Sequence, residues 1–212
     1  MKTLIVYAHP DYESHNSLIL KEVEDALKSK NSDYELIDLY KINYNPVLSK
    51  SELTGPPAGR NTDETKIFQT AVTNSDRLIF IYPVWWNTMP AILKGFFDRV
   101  FTSGFAFRYK PVLPKSMQGF LSKIFPLAYG FRFDYGMPIG LLKGKKAIVF
   151  LTTGSPKGFA RIFNGSRFKK IIQKDTLGFF GIKSKVYQIG DAKVLDDYNR
   201  KKIHKAVKKA LG

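Results

Sequence analysis

The sequence predicts an α/β fold, doubly wound around a parallel sheet with helices on both faces. Three observations carry that reading. Most of five strand-like runs are continuous apolar stretches rather than alternating ones, the pattern of strands buried on both faces. Helical patterns alternate with those strands five times. Three loops of unusual composition follow the first, third and fourth strands, and sheets of this class bind ligands beyond such carboxyl ends.

Each element follows from its residues. The first strand, residues 3–8, is β-branched and apolar from Leu4 to Ala8, and a helix over 16–28 follows, with Ser14, Asn16 and Ser17 available as caps. Residues 34–39 form the second strand, and 63–72 carry a helical pattern. The third strand, 77–82, leads into a helix over 91–101 that begins just after Pro90. Residues 146–152 form the fourth strand, 166–177 the fourth helix and 185–189 the fifth strand. A last helix spans 196–211, where Ile203, Val207 and Leu211 recur at helical spacing under a run of lysines.

One segment stands outside this alternation. Residues 105–142 hold many aromatics, among them Tyr129 and Tyr135, with four prolines and several cations. A structureless loop of that length would be unusual, so the segment is expected to cover the site or to form a dimer contact, with a short helix near 118–125. Its mixture of apolar and basic residues also suits contact with a membrane surface, a weaker reading. The chain as a whole fits one domain, 1–212, better than two.

Composition excludes several functions. With no cysteine there is no disulfide scaffold, thiolate metal site or cysteine nucleophile, so the chain reads as intracellular and any redox work must come from a cofactor. The N-terminus enters its first strand without the apolar region of a signal peptide. Residues 78–93 are uncharged but broken by Pro83 and Pro90, short of the ~20 apolar residues that span a bilayer. The protein therefore reads as cytoplasmic. Three scattered histidines, His9, His15 and His204, make no metal site. The formal charge of +16 favours anionic ligands without naming one. Its densest run lies on the C-terminal helix, where a solvated basic face is preferred to a nucleic-acid site.

The chemistry lies in the three loops. The first, from Ala8 to Ser17, contains His9, Ser14, His15 and Asn16 and ends at a helix N-terminus, a ready anion site for a phosphate. The glycine fingerprints of the P-loop and of the classical dinucleotide fold are absent, so hydroxyl and amide donors must do the cradling. The second loop runs Pro83-Val84-Trp85-Trp86-Asn87-Thr88-Met89-Pro90 and places both tryptophans beside the sheet. If one packs into the core, the other faces a planar ligand. The third, Thr152-Thr153-Gly154-Ser155-Pro156-Lys157-Gly158, lets the backbone approach a flat ring and aim donors at its edge.

Taken together, Ala8-His9-Pro10 with Ser14 and Asn16, Tyr82-Pro83-Val84-Trp85-Trp86 with the block Pro90 to Phe101, and Thr152-Thr153-Gly154 resemble the NAD(P)H:quinone oxidoreductases of the flavodoxin-like superfamily. The likeness runs along nearly the whole chain and implies a five-stranded sheet of order 2-1-3-4-5. It further implies a homodimer with a flavin, FAD or alternatively FMN, in a site shared between subunits. Two electrons would pass from NAD(P)H to a quinone-like acceptor by a ping-pong mechanism.

Carried over by position, His9, Ser14, Asn16 and Ser17, with His15 beside them, would hold the phosphates. Pro83, Val84, Trp85, Trp86 and Asn87 would flank the ring, and Thr152, Thr153 and Gly154, followed by Ser155, would bond its edge. The resemblance departs in one place. Its members carry a tyrosine and a histidine shortly after the glycine turn, positions that fall near Phe159 and Asn164 here. Asn164, or Tyr129 or Tyr135 from the aromatic segment, is expected to serve instead. Two further readings of the resemblance are a flavin-binding regulatory subunit of a membrane transporter and an azo or nitro reductase on the same fold. A nucleic-acid partner is not expected.

Overall fold

The computed structural model describes residues 1–54, 61–111, 117 and 136–212. Its central sheet consists of β1 (Thr3–Tyr7), β2 (Tyr34–Asp38), β3 (Arg77–Pro83), β6 (Lys146–Thr153) and β7 (Lys183–Gly190). The strands lie in the order β2-β1-β3-β6-β7, every neighbouring pair parallel, which is the expected 2-1-3-4-5. Winding reverses between β1 and β3, so the carboxyl ends of those two strands open a crevice. Continuous burial along β1 and β6 explains why their apolar runs do not alternate.

Helices cover both faces. On one side lie α1 (His15–Lys28) and, at the C-terminus, α7 (Asp197–Leu211), whose apolar stripes pack on Ile5, Ile79 and Ile148. Ser14 caps α1 and Asp196 caps α7, each accepting a hydrogen bond from a backbone amide three residues on. On the other side lie the short α2 (Lys50–Thr54), α3 (Asp63–Thr73) and α4 (Ala91–Val100). At Gly95 a β-carbon would sit 2.2 Å from the Pro46 carbonyl oxygen, so α4 needs glycine there to reach the loop before α2.

The structure departs from expectation after β6. The turn leaving β6 continues into a helix that the sequence reading did not foresee, α5 (Lys157–Asn164), closed by Gly165 at a left-handed φ of 54°. The expected single helix over 166–177 is instead a short α6 (Arg167–Lys170) running into a π-helical stretch, Ile171–Gly178. Of the aromatic segment, the described ends pair as an antiparallel ribbon of β4 (Phe107–Pro111) and β5 (Gly136–Gly140). The helix expected near 118–125, with Tyr129 and Tyr135, lies outside the described residues.

Candidate active site

The three loops converge. A cavity of about 360 Å³ beyond the carboxyl ends of β1, β3 and β6 is lined by His9, Ser14, His15 and Asn16 from the first loop, Pro83, Val84 and Trp85 from the second, and Thr152 and Gly154 from the third. Asp11 and Glu13 also line it. A fourth loop, which sequence reasoning missed, adds Ala192, Lys193 and Leu195 after β7. Its signal was the capping pattern of Asp196 and Asn199: Asp196 caps α7 while Asn199 Nδ2 donates to the carbonyls of Asp191 and Val194, shaping the loop against the site.

The first loop is held by its own polar groups. Ser14 Oγ donates to the Asp11 carbonyl at 2.8 Å and accepts from the Ser17 amide at 3.3 Å, while Ser17 Oγ donates back to the Ser14 carbonyl at 2.7 Å. Both hydroxyls are thus spent on the turn. What remains for an anion are the backbone amides of the first turn of α1, which have no carbonyl behind them. His15 is buried with Nε2 3.1 Å from the Val194 carbonyl, and burial lowers its pKa, so it is neutral near pH 7 and ties the fourth loop to α1. Asn16, also buried, donates from Nδ2 to Thr152 Oγ1 at 3.1 Å, and its Oδ1 has no partner among the described residues.

The second loop differs from the expected alternation. Neither tryptophan packs into the core: Trp85 is 42% exposed and Trp86 98%. The strand stops at Pro83, and Trp85 to Thr88 closes as a tight turn with reciprocal backbone hydrogen bonds of 3.0 and 3.1 Å. Trp86 and Asn87 at its centre take φ of 50° and 61°, the left-handed pair of a type I′ turn. Left-handed backbone, rather than strand pleat, therefore sets where both rings point. Trp85 lines the cavity with its ring 6.3 Å from His9, tilted 52°, and Trp86 projects outward beyond it.

In the third loop the hydroxyls turn inward. Thr152 Oγ1 takes the Asn16 bond, and Thr153 Oγ1 accepts from Gln188 at 3.0 Å and donates to the Ser155 carbonyl at 2.9 Å. Ser17, Trp86, Asn87, Thr153 and Ser155 are therefore neighbours of the cavity and not part of its lining. Gly154 leaves open space, since a β-carbon there would meet nothing within 4 Å. Asn164, at the end of α5, donates from Nδ2 to Asn87 Oδ1 at 2.9 Å, fastening the new helix to the tryptophan turn.

Comparison with known proteins agrees with this fold. The Flavodoxin_2 family, a flavodoxin-like fold, matches residues 1–211. The mouse ribosyldihydronicotinamide dehydrogenase [quinone] is 31% identical over 212 residues, covering 89% of this chain and 80% of its own. The chain belongs to the flavodoxin-like NAD(P)H:quinone oxidoreductase family. An uncharacterized NAD(P)H oxidoreductase of Haemophilus influenzae is 28% identical over 95% of this chain and 89% of its own. Among solved members, the NAD(P)H:quinone oxidoreductase from Methanothermobacter marburgensis superposes with a TM-score of 0.77 at 25% identity, covering all of this chain and 95% of that one. A more distant structure, the FMN-dependent NADH-azoreductase of Bacillus anthracis in complex with FMN, shares the fold at TM-score 0.72 and 20% identity, over 99% and 97% of the two chains. Among the described residues no cluster of metal-ligating side chains occurs, and no helix is long and apolar enough to cross a membrane.

Proposed function

We propose that this family member is a cytoplasmic flavoenzyme that passes two electrons from NAD(P)H to a quinone-like acceptor, with FAD or FMN in the cleft at the switch point. The observation that carries the reading is the convergence of the three loops on one cleft whose polar lining is incomplete. Asn16 Oδ1 is buried with no partner among the described residues, and Gly154 leaves room for a ring edge. A buried unpaired acceptor is costly, and a bound ligand that donates to it would relieve that cost. Both features fit a flavin.

When bound, the flavin supplies the hydride chemistry. The chain's own residues bind and orient. First-turn amides of α1 and Lys193 from the fourth loop would hold a phosphate tail, Pro83, Val84 and Trp85 would flank the ring, and the backbone at Gly154 would meet its edge. Amide dipoles fixed there stabilise developing negative charge without reorganising. Asn164 is assigned as a positioning residue, because its amide is engaged with Asn87 and steadies the turn that presents Trp85 and Trp86. We extend the proposal to ping-pong order, with donor and acceptor entering the one cleft in turn. We extend the proposal to a homodimer, which sedimentation velocity measures directly.

Absorption of the purified protein in the flavin bands, with NAD(P)H oxidation stimulated by a quinone, is the expected result. Mass spectrometry of the released cofactor separates FAD from FMN. A colourless protein that takes up neither flavin would overturn the reading.

A further inference from the structure

Behind the third loop lies a buried amide that is not part of the cleft lining. Gln188 stands near the end of β7, opposite Leu151 of β6 in the parallel register, and is 5% exposed. Its Nε2 donates to Thr153 Oγ1 at 3.0 Å, while its Oε1 is buried with no partner among the described residues. A buried unpaired acceptor lowers stability, and an apolar side chain of similar volume would fill the space without that cost. The amide is explained by what it does to Thr153.

A threonine hydroxyl has one proton to give. With Gln188 donating to Thr153 Oγ1, that proton goes to the Ser155 carbonyl, 2.9 Å away. An accepted bond polarises a hydroxyl and strengthens the bond it gives, and here it also fixes the side chain in the orientation that reaches Ser155. The Ser155 carbonyl accepts the Asp191 amide as well, at 3.2 Å, and the Thr153 carbonyl accepts the Ala192 amide at 3.0 Å. Gly190 permits this close approach, since a β-carbon there would lie 2.8 Å from the Lys157 nitrogen and 3.0 Å from the Ser155 oxygen. Thr153 and Ser155, on either side of Gly154, are thus both tied to the end of β7. Between these ties, the amides of Gly154 and Ser155 make no backbone hydrogen bond among the described residues.

We propose that Gln188 is a positioning residue for the cofactor: through Thr153 it holds the Gly154 turn in the shape that presents its free amides to the ring edge. The ring edge rests on the flavin reading, whereas the hold on the turn does not.

The test uses the purified full-length protein, freed of bound flavin and titrated with FMN and with FAD. Gln188→Met should weaken binding of the flavin that the wild type takes up by about tenfold, the worth of roughly one hydrogen bond. Its urea midpoint should stay unchanged or rise, because the unpaired buried oxygen is gone. Thr153→Val should weaken binding by a similar factor, and the double variant should lose no more than either alone, as expected of two residues acting in series. Thr153→Ser keeps the hydroxyl and should stay within about twofold of the wild type. In flavin-free protein, the Gly154 and Ser155 amide resonances should move in Gln188→Met and Thr153→Val and return toward wild-type positions in Thr153→Ser. Wild-type flavin affinity in Gln188→Met would overturn the proposal. So would a fall in its urea midpoint matching the lost affinity, which would leave the amide a structural role only. A wild type that binds neither flavin would overturn the reading of the cleft. The turn resonances would then decide the hold of Gln188 by themselves, sustaining it if they move and overturning it if they do not.

Discussion

The two faces of the sheet are filled in different ways. Beneath α1 and α7 the core is largely aliphatic, with Ile19, Val23, Ile203 and Val207 laid on Ile5 and Ile79. Beneath α3, α4 and the ribbon it is a chain of rings: Tyr44 to Phe96 at 5.7 Å, Phe97 to Phe101 at 5.0 Å, Phe101 to Phe180 at 4.9 Å and Phe107 to Phe179 at 4.9 Å. This second face also buries a charged group. Arg99 Nε donates to Glu52 Oε1 at 2.8 Å, and its Nη1 donates to Glu64 Oε2 at 2.9 Å and to the Asn45 carbonyl at 2.6 Å. The guanidinium also lies 5.2 Å from the Tyr44 ring. Two regular helices cover a sheet with stripes of small branched side chains. Short helices, a ribbon and a π-helical stretch meet at irregular angles, and large rings with one long cation fill what is left between them.

The sharpest way to break that contrast is Arg99→Ala. It leaves Glu52, 8% exposed, without its counter-charge and unties α2 and α3 from α4, so a loss of roughly 3–5 kcal/mol is expected in urea unfolding. A loss below about 1 kcal/mol would mean that the triad contributes only geometry. The same site predicts a pH dependence. Burial alone would raise the Glu52 pKa, but hydrogen bonds from Ser49 and the pairing with Arg99 hold it below the usual carboxylate value. A depressed folded-state pKa stabilises the fold fully above the ordinary value of about 4.3, and that stabilisation drains as pH falls through the lower folded value. Glu52→Gln should remove this component from the acid limb of a stability-against-pH curve.

Next in size is a matched pair of core truncations. Phe96→Ala, at a fully buried position touching Tyr44, Phe68, Phe97 and Phe101, is expected to cost about 3–5 kcal/mol. Ile19→Val on the aliphatic face should cost only about 0.5–1.5 kcal/mol. Equal costs would show that the aromatic face collapses around a void as readily as a methyl group is lost opposite.

The sequence was legible where regular elements repeat. The five strands and helices α1, α3, α4 and α7 follow from apolar runs, caps and helical spacing, whereas the strand order came with the family resemblance. Legibility failed where backbone conformation departs from those periods. Left-handed φ at Trp86 and Asn87 cancelled the alternation that would have buried one tryptophan. The threonine hydroxyls looked like ligand donors, yet Asn16 and Gln188, distant in sequence, claim them. The end of helix α5 could have been found, since Gly165 stands at the left-handed closing position that glycine favours. Lys193 reaches the cleft only because Asn199 and His15 bend its loop inward.

The smallest effect on stability should come from Trp86, and it bears on the cleft. Its side chain is almost fully exposed, so Trp86→Ala removes little buried area and should change stability by less than about 0.5 kcal/mol. Its effect on retention of a flavin should be larger, because a ring held at the cleft mouth on a strained left-handed backbone serves a bound molecule and not the core. Trp86→Gly keeps the turn, since glycine adopts a positive φ without cost, and should lose flavin to the same degree as alanine while equalling or exceeding wild-type stability. If stability and flavin retention fall together in the alanine variant and both recover in the glycine variant, then the turn itself holds the cofactor and the indole does not.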